Sequence, residues 1–201
     1  MNKNPFLLLG ITDGSPQSLA IPTIQALLTG GLDFMYWRTS ADNAGLTQLS
    51  AGFKPSVLLS ATKGSAVPAS FRWHLKDADR QVANFADGLP FSTSIHSLSE
   101  WPRLAGQVEL VFYSPLFPSI SKPGYGPLSS LAVIEQQISA IRQQHTALPR
   151  LIGLGGIQAE NVALVREAGF DGAALMGALW QAPDAVDALQ QIREVLSVKD
   201  G

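Results

Sequence analysis

Two apolar runs in the second half of the chain end in small residues. The first is Leu-Ile-Gly-Leu-Gly-Gly-Ile at residues 151–157, and the second is Gly-Ala-Ala-Leu-Met-Gly-Ala at residues 172–178. We interpret each run as a buried strand whose end exposes backbone N–H groups, because glycine has no side chain to cover them. Exposed N–H groups of this kind bind phosphate. The residues predicted to cradle a phosphate are Gly155, Gly156, Met176 and Gly177.

Polar residues follow the other predicted strands of the chain. They are Thr12 and Asp13, Arg38, Ser60 with Lys63, His74 with Asp77 and Asp79, Ser94 with His96, and the segment Ser119-Ile120-Ser121-Lys122. Three of them, Arg38, Lys63 and Lys122, are cations in a chain of net charge −2. If they share one rim, they suit an anionic ligand larger than a single phosphate.

These residues need elements to position them, and apolar runs alternate with helical patterns along the chain. Strands are predicted at residues 6–11, 34–37, 57–59, 71–75, 89–94, 109–113, 151–154 and 173–176. Helices are predicted at residues 18–28, 44–49, 129–144 and 185–196. A further helix is predicted between the last two strands, and another begins near Ser97, which has capping-box spacing to Glu100.

Alternating strands and helices predict a parallel sheet, and eight strands favour closure into a single (β/α)₈ TIM barrel over residues 1–201. Loops that follow the strands share one rim of such a barrel, so the polar residues above converge there. About ten residues separate the third strand from the fourth, which is too short for an ordinary crossover helix. The barrel is therefore predicted to be shortened at that point.

Composition excludes several classes of partner and site. The chain has 201 residues, 46% of them hydrophobic, and 15% charged. It lacks the basic field that holds nucleic acid, and its zero cysteines exclude disulfides and thiolate metal sites. No apolar stretch is long enough to span a membrane, and no signal pattern precedes the first strand. We expect a cytoplasmic protein that binds small molecules, with a homo-oligomer left open.

An ordered set of motifs resembles the thiamine phosphate synthase family, which also contains the TenI-like thiazole tautomerases. The motifs are Ile11-Thr12-Asp13, Arg38, His74-Leu75 with Asp79, Ser94-Ile95-His96-Ser97, Phe117 to Lys122, Gly155-Gly156-Ile157, and Asp171-Gly172 through Ala178. The resemblance covers nearly the whole chain. It implies a transferase of thiamine biosynthesis that joins hydroxymethylpyrimidine pyrophosphate to hydroxyethylthiazole phosphate and releases pyrophosphate, with Mg²⁺ assisting.

The resemblance also implies roles for the matched residues. Arg38 and Lys122 would hold pyrophosphate, Ser94 would donate a hydrogen bond to it, and Asp79 would bind Mg²⁺. The residues implied to contact the substrates are His74, Ser119 and Ser121, together with Gly155, Gly156, Met176 and Gly177 at the thiazole phosphate.

The sequence departs from the family pattern at four places, one of which is Lys76-Asp77 in place of a Gly-Gln pair after the fourth strand. Ser40 replaces a pyrophosphate-binding lysine, and Ser60-Ala61 replaces an Asn-Asp pair that contacts pyrophosphate and Mg²⁺. Asp77 or Lys63 could compensate for these missing family residues. Pro115 replaces the acid–base histidine of the tautomerases, which disfavours a thiazole tautomerase. A phosphate-binding paralogue without turnover is the remaining alternative.

Several of these residues also have purely structural interpretations. Lys122 could be a solvated surface residue, Arg38 could form an ion pair that caps the barrel, and Gly155-Gly156 could serve tight packing. His74 could be a buried core histidine. For His96 we favour a rim hydrogen bond.

Overall fold

The computed structural model describes residues 5–38, 44–61, 67–80, 90–118 and 126–198. Eight parallel strands within these residues form a closed barrel, in which each strand pairs with its neighbour in sequence and the last pairs with the first. The strands are β1 (Leu7–Ile11), β2 (Phe34–Trp37), β3 (Val57–Ala61), β4 (Arg72–Leu75), β5 (Ser92–Ile95), β6 (Leu110–Tyr113), β7 (Arg150–Leu154) and β8 (Gly172–Leu175). This architecture confirms the predicted (β/α)₈ barrel.

Helices connect the strands on the outside of the barrel. The α-helices are α1 (Ile21–Thr29), α2 (Asp77–Arg80), α3 (Leu131–Gln144), α4 (Val162–Glu167), α5 (Gly177–Trp180) and α6 (Ala185–Val198). Within the described residues, 3₁₀-helices lie at Ala44–Gln48, Ala51–Ser56 and Leu98–Leu104. Residues 67–71 between β3 and β4 contain a turn and no helix, and residues 62–66 lie outside the described residues. No helix among the described residues is long and apolar enough to cross a membrane.

Side chains of the strands alternate between two hydrophobic cores. Leu7, Leu9 and Ile11 of β1 belong to the cluster that fills the lumen of the barrel. Leu8 belongs to a larger cluster between the barrel and its helices, which also contains Trp101. Because the lumen is packed, a ligand can reach the barrel only at its rims.

One predicted helix start and one predicted helix cap are wrong. The first helix begins at Ile21 rather than at residue 18, because Ser18 joins a local turn in which its hydroxyl donates to the Ser15 carbonyl at 3.0 Å. Ser97 does begin a helix, but the helix is of the 3₁₀ type and contains Pro102. The capping box does not form, since the Glu100 carboxylate pairs with Arg80.

Hydrogen bonds tie the last strands to the first. The Trp180 indole Nε1 donates to the Ile11 carbonyl at 2.6 Å, which joins α5 to the end of β1. Leu9 of β1 is opposite Ala174 of β8 in the parallel register. The ends of β8, β1 and β2 therefore form one continuous section of the rim.

Candidate functional site

The carboxyl ends of all eight strands lie at one rim, because the strands are parallel and the barrel is closed. This rim carries the predicted site residues that the structure describes, which are Arg38, His74, Asp79, Ser94, Gly155, Gly156, Met176 and Gly177. Lys122, Ser119, Ser121 and Lys63 lie outside the described residues. Their assigned roles stay predictions.

Gly155 and Gly156 follow β7 with φ angles of 109° and 64°. Both angles lie in the region that disfavours side chains. A Cβ at Gly156 would lie 2.3 Å from the Pro118 carbonyl oxygen, and one at Gly155 would lie 3.2 Å from the Leu116 nitrogen. The loop that follows β6 therefore packs directly on these glycines, so tight packing explains part of their presence.

The same glycines leave backbone donors available. In the part of the chain that the structure describes, neither Gly155 nor Gly156 donates a backbone hydrogen bond, and both are half-buried. The Asn161 amide donates to the Gly156 carbonyl at 2.9 Å and fixes the plane of that peptide. Met176 and Gly177 follow the neighbouring strand β8, where α5 begins. This corner of the rim can accept an anion through backbone N–H groups.

The Arg38 side chain extends to the end of β8. Its backbone N–H donates to Thr12 Oγ1 at 2.9 Å, and its Nη1 is 3.8 Å from the Met176 sulfur. The exposed guanidinium is thus beside the end of β8. Its positive charge would strengthen anion binding at the glycine corner.

His74 is a core histidine of β4 that contacts a polar cluster in the lumen. Its Nδ1 is 2.9 Å from Ser92 Oγ, and its Nε2 is 3.2 Å from Ser94 Oγ. The ring centroid lies 4.4 Å from that of Tyr36 and 5.2 Å from that of Phe112. Burial, with a smaller contribution from Lys76, lowers the pKa of His74 to about 3. The imidazole is therefore neutral near pH 7.

Two hydroxyl groups of β2 and β3 extend this polar side of the lumen. Burial raises the pKa of Tyr36, although Ser60 and Arg38 act in the opposite direction. The Ser60 hydroxyl oxygen is buried and has no hydrogen-bond partner of ordinary geometry among the described residues. An orphaned polar atom below the rim is a group that a bound ligand could satisfy.

The two acidic residues of α2 have different surroundings. Arg80 pairs with Asp77 at 2.6 Å and also with Glu100. Its other terminal nitrogen donates to the Ser94 carbonyl at 3.1 Å. Asp79 has no side-chain partner among the described residues. Asp77 is therefore committed to Arg80, which argues against its predicted compensation for the missing carboxylate.

Among the described residues, α2 offers one unpaired carboxylate, Asp79, to a divalent cation. No three His, Asp or Glu side chains of the described residues are grouped to hold a metal ion. Mg²⁺ is commonly held by one or two carboxylates together with substrate phosphates and water. Asp79 can supply one carboxylate, so the ion would depend on pyrophosphate for most of its ligands.

Two other rim residues have structural roles, which for His96 is the role predicted. The exposed His96 donates from Nδ1 to the Ser114 carbonyl at 2.8 Å. Asp13 Oδ1 accepts from the Ser15 N–H at 2.9 Å in the turn before α1. Burial raises the pKa of Asp13, but hydrogen bonds with Ser15 and Ser18 lower it by more.

Sequence reasoning missed four residues that support this rim. Ser92 lies two residues before Ser94, and this strand spacing could have indicated that both face the lumen. Arg80 lies three residues after Asp77, a helical ion-pair spacing. Asn161 had no comparable signal, and Tyr36 was hidden in an apolar run.

Comparison with known sequences identifies a family. The model of the family described as thiamine monophosphate synthase matches residues 69–179, slightly more than half of the chain. A thiamine-phosphate synthase of Listeria monocytogenes is 32% identical over 114 residues, which are 56% of this chain and 51% of that protein. The match thus spans about half the length of this relative.

Solved structures show the same fold. A thiamine phosphate pyrophosphorylase from Bacteroides thetaiotaomicron is similar with a TM-score of 0.74 and 18% identity, over 96% of this chain and 99% of that one. One from Pyrococcus furiosus has a TM-score of 0.71 and 17% identity, over 99% of both chains. At such identities the similarity concerns the barrel alone.

Proposed function

The chain belongs to the thiamine monophosphate synthase family, and we propose that it joins hydroxymethylpyrimidine pyrophosphate to hydroxyethylthiazole phosphate. The observation that carries this proposal is that the N–H groups of Gly155 and Gly156 donate no hydrogen bond within the described part of the chain, while the Arg38 guanidinium lies beside Met176 at the same rim. Together they support binding of the thiazole phosphate.

The reaction needs charge stabilisation rather than a general base. The bond between the pyrimidine methylene carbon and the pyrophosphate oxygen breaks, and its electron pair leaves with pyrophosphate. The thiazole nitrogen then forms a bond to that carbon. Ser94 would donate a hydrogen bond to the leaving group, and Lys122 would neutralise part of its charge. The rim would also hold the two substrates in the orientation that the reaction needs, and this would supply the rest of the rate acceleration.

Mg²⁺ bound to pyrophosphate would supply further neutralisation of the leaving group. Asp79 is the residue that we propose holds it. Asp77 is not available for this role because it pairs with Arg80, which also donates a hydrogen bond to the Ser94 carbonyl. We propose small phosphorylated substrates as the partners of the rim, and a cytoplasmic location for the protein.

The decisive experiment measures pyrophosphate release. The full chain is incubated with both substrates and Mg²⁺, with each substrate omitted in turn, and with a chelator in place of the metal. We expect release that requires both substrates and falls with the chelator. If thiazole phosphate binds but no pyrophosphate is released at high enzyme concentration, the chain is a phosphate-binding paralogue and the proposal is wrong.

Lys122→Ala tests the division of the site between its two ligands. We expect turnover to fall by about 100-fold while thiazole phosphate binding changes little. Lys54→Ala is the control, since Lys54 lies before β3 at the opposite rim, with its ammonium 5.8 Å from the Phe71 ring. Equal losses of turnover and of thiazole phosphate binding in Lys122→Ala would contradict the role given to Lys122.

A further inference from the structure

His74 lies between two serine hydroxyls in the lumen, and its two ring nitrogens have different surroundings. His74 is only 2% exposed to solvent. Nδ1 faces Ser92, which is 0% exposed, whereas Nε2 faces Ser94, which is half-buried and reaches the rim. Since the imidazole is neutral, one nitrogen donates a hydrogen bond and the other accepts one.

The burial of Ser92 selects the tautomer. Within the described residues, the only hydrogen-bond partner of Ser92 Oγ is His74 Nδ1. If Nδ1 carried the proton, the Ser92 hydroxyl hydrogen would be buried without an acceptor, which is costly. The Ser92 hydroxyl therefore donates to Nδ1, and the proton of the ring is on Nε2. Nε2 in turn donates to Ser94 Oγ.

We propose that His74 is a positioning residue that fixes Ser94 as an outward hydrogen-bond donor at the rim. Because Ser94 Oγ accepts from Nε2, its own hydrogen is free to point away from the ring. A hydroxyl that accepts one hydrogen bond becomes a better donor of the next. The donated hydrogen suits an anionic oxygen, so the predicted ligand is pyrophosphate. This inference rests on the proposed function, in which pyrophosphate leaves near Ser94.

The backbone of Ser94 is held independently of its side chain. Arg80 Nη1 donates to the Ser94 carbonyl at 3.1 Å, and Arg80 is itself paired with Asp77 and Glu100. The main chain at Ser94 is therefore anchored from the α2 side while His74 orients the hydroxyl from the lumen. A change at His74 should alter the direction of the hydroxyl without releasing the strand.

The first test is the tautomer of His74, read by nitrogen NMR of the full chain with labelled histidine. The chain has three histidines, and loss of one signal set in His74→Gln assigns the ring. We expect a neutral ring protonated at Nε2 between pH 5 and pH 9. A ring protonated at Nδ1, or one that titrates near neutral pH, would overturn the inference.

The second test replaces the imidazole with two amides of different length. In His74→Gln the amide nitrogen lies near the former Nε2 and can still donate to Ser94, whereas the shorter amide of His74→Asn reaches only towards Ser92. Calorimetry with Mg²⁺ and inorganic pyrophosphate should give about 10-fold weaker binding for His74→Asn and for Ser94→Ala, but less than about 3-fold for His74→Gln. In the Ser94→Ala background, His74→Asn should add little.

The outcomes separate this inference from the proposed function. If the amide pattern and the tautomer are as expected but wild type releases no pyrophosphate from the substrates, the transferase proposal fails and the positioning role stands. If wild type is an active synthase but both amides bind pyrophosphate equally at equal unfolding midpoints, the role of His74 is overturned. Failure of the wild type to bind Mg²⁺-pyrophosphate would also overturn it.

Discussion

The rim is built in two different ways at its two sides. At the ends of β7 and β8 it consists of backbone, with glycines at positive φ packed under the loop that follows β6. At the ends of β4 and β5 it consists of side chains, where a buried neutral imidazole orders two hydroxyls. The first side tolerates no added Cβ, whereas the second depends on the hydrogen-bonding character of single groups.

This difference agrees with where the family pattern is kept and where it is lost. A backbone cradle depends on shape, which the Gly155-Gly156 pair retains. The side-chain region can change its ligands one at a time, and on the neighbouring strand β3 Ser60 stands where the family resemblance predicts an asparagine. Arg38 adds a charge to the backbone side, because its guanidinium lies beside Met176 at the end of β8 while its backbone bonds to Thr12 at the end of β1.

The largest effect is expected on the backbone side, from Gly156→Ala. The new Cβ would clash with the Pro118 carbonyl oxygen at 2.3 Å and would be strained at a φ of 64°. We expect the free energy of unfolding to fall by about 3 kcal/mol, and phosphate binding to be lost. Urea denaturation and phosphate calorimetry measure these two losses.

Gly106→Ala is the matched control for that substitution. Gly106 has a similar φ of 73°, but a Cβ there meets nothing within 4 Å. It should cost about 1 kcal/mol from backbone strain alone and leave phosphate binding intact. Equal costs at Gly156 and Gly106 would show that the contact with the loop contributes nothing.

The next effect is expected at the metal, from Asp79→Asn against Asp77→Asn. If Asp79 holds Mg²⁺ and Asp77 only pairs with Arg80, the first change should lower Mg²⁺-dependent turnover about 100-fold. The second should lower it by less than about 3-fold. Steady-state rates of pyrophosphate release over a Mg²⁺ titration make the comparison. Similar losses for both would mean that Asp77 does compensate for the missing carboxylate.

A smaller effect concerns the pH dependence of stability. The folded-state pKa of His74 is about 3, below its usual value of 6.5, so folding favours the neutral ring. This contribution to stability is fully present above the unfolded-state pKa and is lost as the pH falls through the window between the two values. His74 alone should lower the free energy of unfolding by about 2 kcal/mol between pH 7 and pH 5.

Urea denaturation of wild type and His74→Gln at both pH values isolates this contribution. The variant lacks the titrating ring and should lose correspondingly less stability on acidification. If the two proteins respond to pH in the same way, His74 does not stay neutral in the folded state.

The sequence predicts the barrel well because buried parallel strands are short apolar runs bounded by glycine and polar residues. The predicted strand at residues 34–37 coincides with β2, and the other strands are shifted by few residues. The start of the first helix was harder to predict, since Ser18 bonds within its own turn. The capping box predicted at Ser97 fails because Glu100 bonds to a distant arginine. The four-residue helices α2 and α5 are too short to give a periodic signal.

The candidate site is predictable only in part, for a physical reason. The order of strands places Gly155, Ser94 and Arg38 at one rim, and that much follows from topology. Partners across strands do not follow from local sequence. The choice of Ser92 and Ser94 as partners of His74, and the position of Arg38 beside Met176, depend on the register and on side-chain directions.

The smallest effect is expected from Glu100→Gln, which weakens the support of the side-chain region without touching either ligand. Arg80 is only 16% exposed and keeps Asp77 and the Ser94 carbonyl as partners, so the loss of stability should be about 0.5 kcal/mol. Glu135→Gln on the exposed face of α3 is the control, as Glu135 forms no ion pair among the described residues. Because the anchor of Ser94 loosens, pyrophosphate binding should weaken by up to about 2-fold while thiazole phosphate binding stays constant. A parallel loss of both ligands would indicate that the two sides of the rim respond as one unit.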